Sequence, residues 1–458
     1  MADRYWVGGT GTWNTSSTTN WSTSAGGASG ASVPTADDSV FFDRVATYTV
    51  TLTGALTCLD IIVSAGTVTF SSNGTLAVSG GMSLVAATVW NATGTITFNS
   101  ITGTVYLITT NSVTFSCSIT FNGAGGSWRL QNSLTIVSSR NLTFTAGDFD
   151  INGNTVTAGT FTSTGSTFRR ITWSGGNISV NATNQTVVNV TFTVATDFVM
   201  NGTSNIRLIG SPSTGTRQIT GPQSSSGVEN SALNVYITGG TDIFTFGTNR
   251  VWKNIDFTGF KGSITSTTTS FICYGNFTLD SGMISVAAGT GNWRFAASGA
   301  EKTIDMGGFT TNVPISFING TLQPFYNGTW SMASALLLPN SALTITTTTL
   351  PDNLNTQTLK LKAGTTNTVG SFVTTGDGQK YLQSTIAGTQ ATISDASGTN
   401  AVTYLTIQDS AATGGATWDA YDPTNINFGN NTGWIFAGHD VGFGTGNGGT
   451  CFGFGFRI

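Results

Sequence analysis

The chain has 458 residues, only 8% of them charged, and a net charge of −4 with 17 Lys plus Arg; no basic stripe could neutralise a run of phosphates, which argues against nucleic acid as a partner. A hydrophobic fraction of 38%, with 29 Phe and a mean hydropathy of +0.09, excludes disorder. No run of 18 apolar residues occurs, and MADRYWVGG has neither the basic nor the apolar region of a secretory leader, so membrane insertion and conventional export are not expected.

From the N-terminus, residues 4–43 spread Trp6, Trp13 and Trp21 through Gly, Ser and Thr, then place Pro34 and the Asp37-Asp38 pair just before Val40-Phe41-Phe42. Beyond this point strict alternation takes over, in TYTVTLTG (47–54), TVTFSSNG (67–74), TITFNS (95–100), SVTFSCSITFNG (112–123), NLTFTAG (141–147), NISVNA (177–182), NFTLDSG (276–282) and VTYLTIQDS (402–410). Period-2 runs ended by Gly, Asn or Ser are half-buried strands with turns between them. The one helix-like stretch, SMASALLL (331–338), stops at Pro339. Segments also echo one another: 141–147 and 276–282 share N-[LF]-T-[FL]-x-[AS]-G, and GGSWRL (125–130) returns as TGNWRF (290–295).

Strands and turns at this spacing fit a parallel β-helix or a string of β-sandwiches. In a parallel solenoid each side chain stacks over its equivalent about 4.8 Å away, so like charges repel along the column while Thr, Ser and Asn hydrogen-bond along it. The scarcity of charge and wealth of hydroxyls and amides therefore predict an all-β protein built as a parallel β-helix, with tandem sandwiches as the alternative. Coils of about 20 to 24 residues would give roughly 16 coils and a rod near 75 Å, with glycine at corners that need positive φ.

A solenoid has open ends that need covering. Trp6, Trp13 and Trp21 suit apolar plugs, Pro34 halts pairing, and Asp37 and Asp38 can accept orphan N–H groups. The expected layout is an aromatic N-terminal cap over 1–45, a solenoid over 46–410, a C-terminal capping element over 411–438 and a Gly/Phe-rich tail over 439–458. In that tail Phe452, Phe454, Phe456 and Ile458 alternate with small or polar residues, which predicts docking by strand addition onto a partner, with folding back on the last coil as the alternative.

Residues able to carry chemistry are sparse. Cys58, Cys117, Cys273 and Cys451 form no CxxC pair, so neither a metal site nor a disulfide framework is expected, and no cofactor motif is present. Cys117 alternates with Val113, Phe115, Ile119 and Phe121 onto one face and reads as a buried free thiol. Asp148 and Asp150 share a strand face about 7 Å apart, a spacing that could suit a pair of glycosidase carboxylates, although a solvent-facing pair beside a turn is the plainer reading. His439, the sole histidine, lies in a glycine-rich stretch unsuited to a triad. Asp419, Asp422 and Asn425 share a loop that could offer oxygen ligands to calcium, with an Asx turn the plainer reading. Trp128, Trp173, Trp252 and Trp293 fall inside strand repeats; any that face outward could stack on sugar rings, while core burial is the alternative.

The opening WVGGTGTWNTSSTTNWS…SVPTADDSVFFD resembles the start of β-helical adhesins and virion fibres. GSWRLQNSLTI…NLTFTAGDFDINGNTVTAGTF (126–161) and YLTIQDSAATGGATWDAY…NNTGWIF (404–436) resemble the coils and closing element of tail-fibre-like structural proteins of tailed bacteriophages. Together these motifs cover about a third of the chain. The resemblance implies a non-enzymatic virion component, assembled in the host cytoplasm as a homo-oligomer, a trimer being favoured. Its implied partners are other virion proteins and host-surface glycan. A polysaccharide-cleaving tailspike and a bacterial surface adhesin are the competing expectations; the adhesin would need an export signal and a membrane barrel, and a phage protein tolerates free thiols.

Overall fold

The structure, a computed structural model, describes residues 2–181, 187–192, 198–211, 213–221, 232–247, 251–265, 270–287, 290–297, 299–319, 328–347 and 356–437. Every regular element among them is a β-strand. The winding is plain in the first coils. Ser39–Phe42, Thr47–Leu52 and Ala55–Cys58 follow one another, and Ile61–Val63 then returns to pair in parallel with Ser39–Phe42. Each coil thus lays down three short strands, and each strand pairs with its counterparts in the coils before and after.

One column runs through 17 consecutive parallel pairings from Gly11–Trp13 to Ile426–Asn427. At about 4.8 Å per step this column is roughly 80 Å long. The protein is an all-β parallel β-helix, and one continuous apolar core extends from Trp6 to Trp434.

Burial alternates as the sequence period requires: in Thr47–Leu52, Tyr48, Val50 and Leu52 point inward, while Thr49 and Thr51 do not. Aromatic side chains stack from coil to coil within the core. Phe70, Trp90 and Phe115 occupy one register position, with ring centroids 4.5 and 5.5 Å apart. Stacking of this kind lets a narrow interior take bulky rings, because each ring packs against its equivalents rather than across the coil.

Coil length departs from the expected 20 to 24 residues. Val40, Ile61 and Met82 are paired at steps of 21, but Met82 to Ile108 is a step of 26, and Trp330 to Leu359 a step of 29. The register of the strands survives because the extra residues lie between strands, where added length is entropically inexpensive. Pro339 also lies inside a strand, Leu337–Thr346, at a register shift between Leu338 and Ala342; a bulge is where a missing N–H is tolerated. At one corner Gly147 has φ 97°, and a Cβ there would sit 2.6 Å from the Gly123 carbonyl oxygen, so glycine is required on both counts.

Candidate functional site

Outward positions carry the hydrogen-bonded and charged columns. Asn234 donates to Asn205 Oδ1 at 3.1 Å and accepts from Asn254 Nδ2 at 2.6 Å, joining three successive coils. Thr97, Thr120, Thr143 and Thr162 occupy one register position on successive coils. Several ionised groups on the outside are paired with opposite charge on a neighbouring coil. Arg129 Nε meets Asp150 Oδ2 at 2.7 Å, and Arg170 pairs with Asp148. Asp148 and Asp150 are therefore each tied to a different arginine, a structural use that opposes their reading as a catalytic pair.

The four tryptophans offered for glycan contact are corrected by the structure. Trp128, Trp173, Trp252 and Trp293 are 0 to 1% exposed, so no indole face is open to a sugar ring. Their inward placement follows from register: Trp128 is aligned with Tyr106 and Phe149, packs against Phe121 at 5.3 Å, and donates Nε1–H to the Gly80 carbonyl at 3.2 Å.

At the N-terminal end Trp6, Trp13 and Trp21 are buried, with Trp21 edge-on to both others at 5.1 and 5.2 Å. Trp21–Ser22 pairs antiparallel with Asp3–Trp6, whose other side pairs in parallel with Ser39–Phe42. This antiparallel strand covers an edge that would otherwise be open. Pro34 is buried nearby. Asp38 accepts from Ala2 N at 3.0 Å and from Thr35 N and Oγ1 at 3.1 and 2.9 Å; these bonds, with Arg4, hold its carboxyl below the usual range despite the opposing effect of burial. Asp37 is exposed and donates its own N–H to Thr35 Oγ1 at 3.4 Å.

In the 419–425 loop, Asp422 Oδ1 accepts from Thr424 N at 2.9 Å and from the Thr424 hydroxyl, while Asn425 is spent on the preceding coil through Leu405 N and the Val402 carbonyl. This is an Asx turn, and no group of three metal-ligating side chains occurs among the described residues. His439 and the tail residues Phe452, Phe454, Phe456 and Ile458 lie outside the described residues.

An outward groove of about 470 Å³ lies at one corner, lined by Thr258, Asp280, Ser281, Asp305, Ser334 and Lys362 among others. Asp280 accepts from Lys261 Nζ at 2.5 Å and from the N–H groups of Gly259 and Gly282 at 2.7 Å; the lysine, followed by these amides, pulls its carboxyl down to about 2. Asp305 Oδ1 accepts from Gly307 N at 2.9 Å. Carboxylate acceptors, hydroxyls and a lysine thus line an outward cleft, an inventory suited to a polyhydroxylated ligand. The residues come from positions 258, 280, 305, 334 and 362 on successive coils, too far apart in sequence for their spacing to reveal the grouping.

Three buried cations also escaped sequence reasoning. Arg169 reaches Ser163 Oγ at 2.8 Å and the Gly165 carbonyl at 3.0 Å. Arg217 forms a two-point pair with Asp242, both contacts 2.8 Å, and reaches the Gly210 carbonyl. Lys380 donates to the Gly376 and Gly378 carbonyls at 2.9 and 2.8 Å. Burial pushes Arg169 and Arg217 below the usual arginine value, raises Asp242 despite its partner, and pushes Lys380 down to about 8. A common signal was present: a Thr-Gly turn (164–165, 214–215, 375–376) precedes each cation by a few residues.

The chain matches no protein family, no curated protein and no solved structure.

Proposed function

We propose that this protein is a structural component of a tailed-phage particle, fibre-like or surface-decorating, that holds a host-contact surface away from its point of attachment. The observation that carries the reading is the unbroken column of 17 parallel steps over one core. Such a winding supplies a stiff spacer roughly 80 Å long, and stiffness over that distance is what a surface fibre needs. The resemblance of residues 6–43, 126–161 and 404–436 to virion-fibre elements supports the same assignment.

Since the four tryptophans are interior, glycan contact on this reading falls to outward groups, and the corner groove around Asp280, Asp305 and Lys362 is its best-equipped location. Gold-labelled antibody against the purified chain should decorate intact particles, and the purified chain should compete with particles for adsorption to host cells. Unlabelled particles would refute the virion assignment. Labelled particles with no competition would leave a particle protein without a receptor role. On a glycan array, Asp305→Ala and Lys362→Ala should abolish any signal of the parent chain; retention of that signal would remove the groove from the reading.

A further inference from the structure

The two ends of the solenoid are finished differently. At the N-terminal end one column is covered by the antiparallel Trp21–Ser22 segment and the buried Trp6, Trp13 and Trp21 cluster, while Gly11–Trp13 and Ala55–Cys58 are, among the described residues, paired only toward the next coil. At the other end the last elements of the three columns are Ile426–Asn427, the Thr432 bridge and Trp434–Phe436. Among the described residues each is paired only toward the preceding coil. No described residue pairs with their outer backbone edges, which can accept a further strand.

The same coil breaks the rule that outward positions are Thr, Ser or Asn. Tyr421, Ile426, Phe428 and Ile435 are between 48% and 65% exposed. Ile426 is aligned with Thr406 and Ile435 with Asp419, so two isoleucines stand at positions that are polar one coil earlier. Four large exposed apolar side chains at the terminal coil are of the kind that protein contacts bury.

Charge selects the partner. Residues 381–437 contain Asp395, Asp409, Asp419 and Asp422 and no Lys or Arg. Asp395 and Asp409 are buried, while Asp419, one coil before Ile435, and Asp422, in the turn that follows it, reach solvent beside the apolar residues in sequence. A second copy docked tail to tail would bring like charges together, and so would a head-to-tail copy, because residues 2–43 carry Asp3, Asp37, Asp38 and Asp43 against Arg4 alone. We propose that the terminal coil is a docking face for a different protein, one that adds a strand to the open edge and presents apolar side chains rimmed by lysine or arginine. This inference stands independently of the virion reading.

The test uses the full chain and two short synthetic peptides, one alternating Phe or Ile with Lys and the other with Glu in place of Lys. The Lys peptide should bind and the Glu peptide should not. Asp419→Lys with Asp422→Lys should weaken the Lys peptide roughly tenfold, as should Phe428→Asp, with the circular dichroism spectrum unchanged. Equal binding of both peptides, or of neither, would overturn the proposal. So would binding that begins only when residues 438–458 are removed, because the chain's own tail would then be the occupant. A fall in the native mass of the chain on Phe428→Asp, measured by sedimentation, would identify a second copy as the occupant and overturn it likewise.

Discussion

The stacking of equivalent side chains makes a quantitative demand on the threonine column. Thr120, Thr143 and Thr162 are half-buried, aligned on three successive coils, and continued by Thr97 on one side. A single Thr143→Asp places one carboxylate between two hydroxyls and should cost about 1 kcal/mol or less, as an ordinary surface change does. Converting all three to Asp creates two neighbouring like-charge pairs about 4.8 Å apart. Each pair repels by about 0.9 kcal/mol at the dielectric of water and by about 3.5 kcal/mol at an effective value near 20. Half-burial places the effect in the upper part of that range, so the triple variant should lose about 4 to 6 kcal/mol beyond the sum of its singles. The readout is local opening by hydrogen exchange in Ile119–Leu130 and Asn141–Asp150, compared among singles and triple at low salt. Mutual repulsion raises the folded-state pKa of these carboxyls, so the loss is present at neutral pH and fades as pH falls through that raised value. High salt should reduce it, and Thr120→Lys, Thr143→Asp, Thr162→Lys together should restore most of it, as Arg129–Asp150 does naturally. A triple variant whose cost equals the sum of its singles within about 0.5 kcal/mol, with no response to salt or acid, would refute the stacking argument.

Other outcomes follow from the interior. Asp242→Ala leaves the Arg217 guanidinium buried without its carboxylate and should destabilise its coil by about 3–5 kcal/mol, measured by denaturant unfolding. Trp128→Ala should cost about 3–5 kcal/mol in the same assay while leaving any glycan binding unchanged, because the residue is core. Burial pushes Lys380 from 10.5 down to about 8, so between those values the unfolded chain binds more protons and stability should rise with pH; Lys380→Met should flatten that rise. Burial also pushes the thiols of Cys58, Cys117 and Cys273 up, the latter two to about 12, so in the native protein none should react with iodoacetamide at pH 8, and all three should react once it is unfolded, as followed by peptide mass spectrometry.

The winding was legible because it depends on quantities a sequence displays. Alternation marks strands, and paucity of charge marks stacking; the Asn205–Asn234–Asn254 chain and the Thr97–Thr162 column are the hydrogen-bonding and neutral positions that reasoning calls for. Coil length was less legible, because insertions between strands leave the alternation intact. The facing of tryptophan was not legible at all. GGSWRL and TGNWRF show an indole in an alternating run, but alternation defines two faces without saying which is inside; Trp128 is inward because Phe149 is, and that equivalence is a matter of register between coils. The corner groove was hidden for a related reason: its residues meet only after the chain has turned through several coils.

Few charges is a statement about the average, and the exceptions sort by which side of the wall they occupy. Outside, a charge is tolerated when the coil beside it offers the opposite sign, as Arg129 and Arg170 do on either side of Asp150 and Asp148. Inside, Arg217 meets Asp242 of the next coil, and all three cations sit at the first or second position of a strand, where the preceding turn points backbone carbonyls inward. Arg169 opens Arg169–Thr172, Lys380 opens Lys380–Ser384, and Arg217 is second in Thr216–Thr220; each draws on carbonyls from glycines near its own corner. A turning backbone leaves some carbonyls without a ladder partner, and an unpaired buried carbonyl costs about 1–3 kcal/mol. A long cationic side chain with several donors can serve two or three such oxygens at once, which a threonine or asparagine of shorter reach cannot. The ion-paired charges along the strands and the buried cations at the corners therefore share one device: each meets fixed partners of opposite polarity supplied by the neighbouring coil or by the turn.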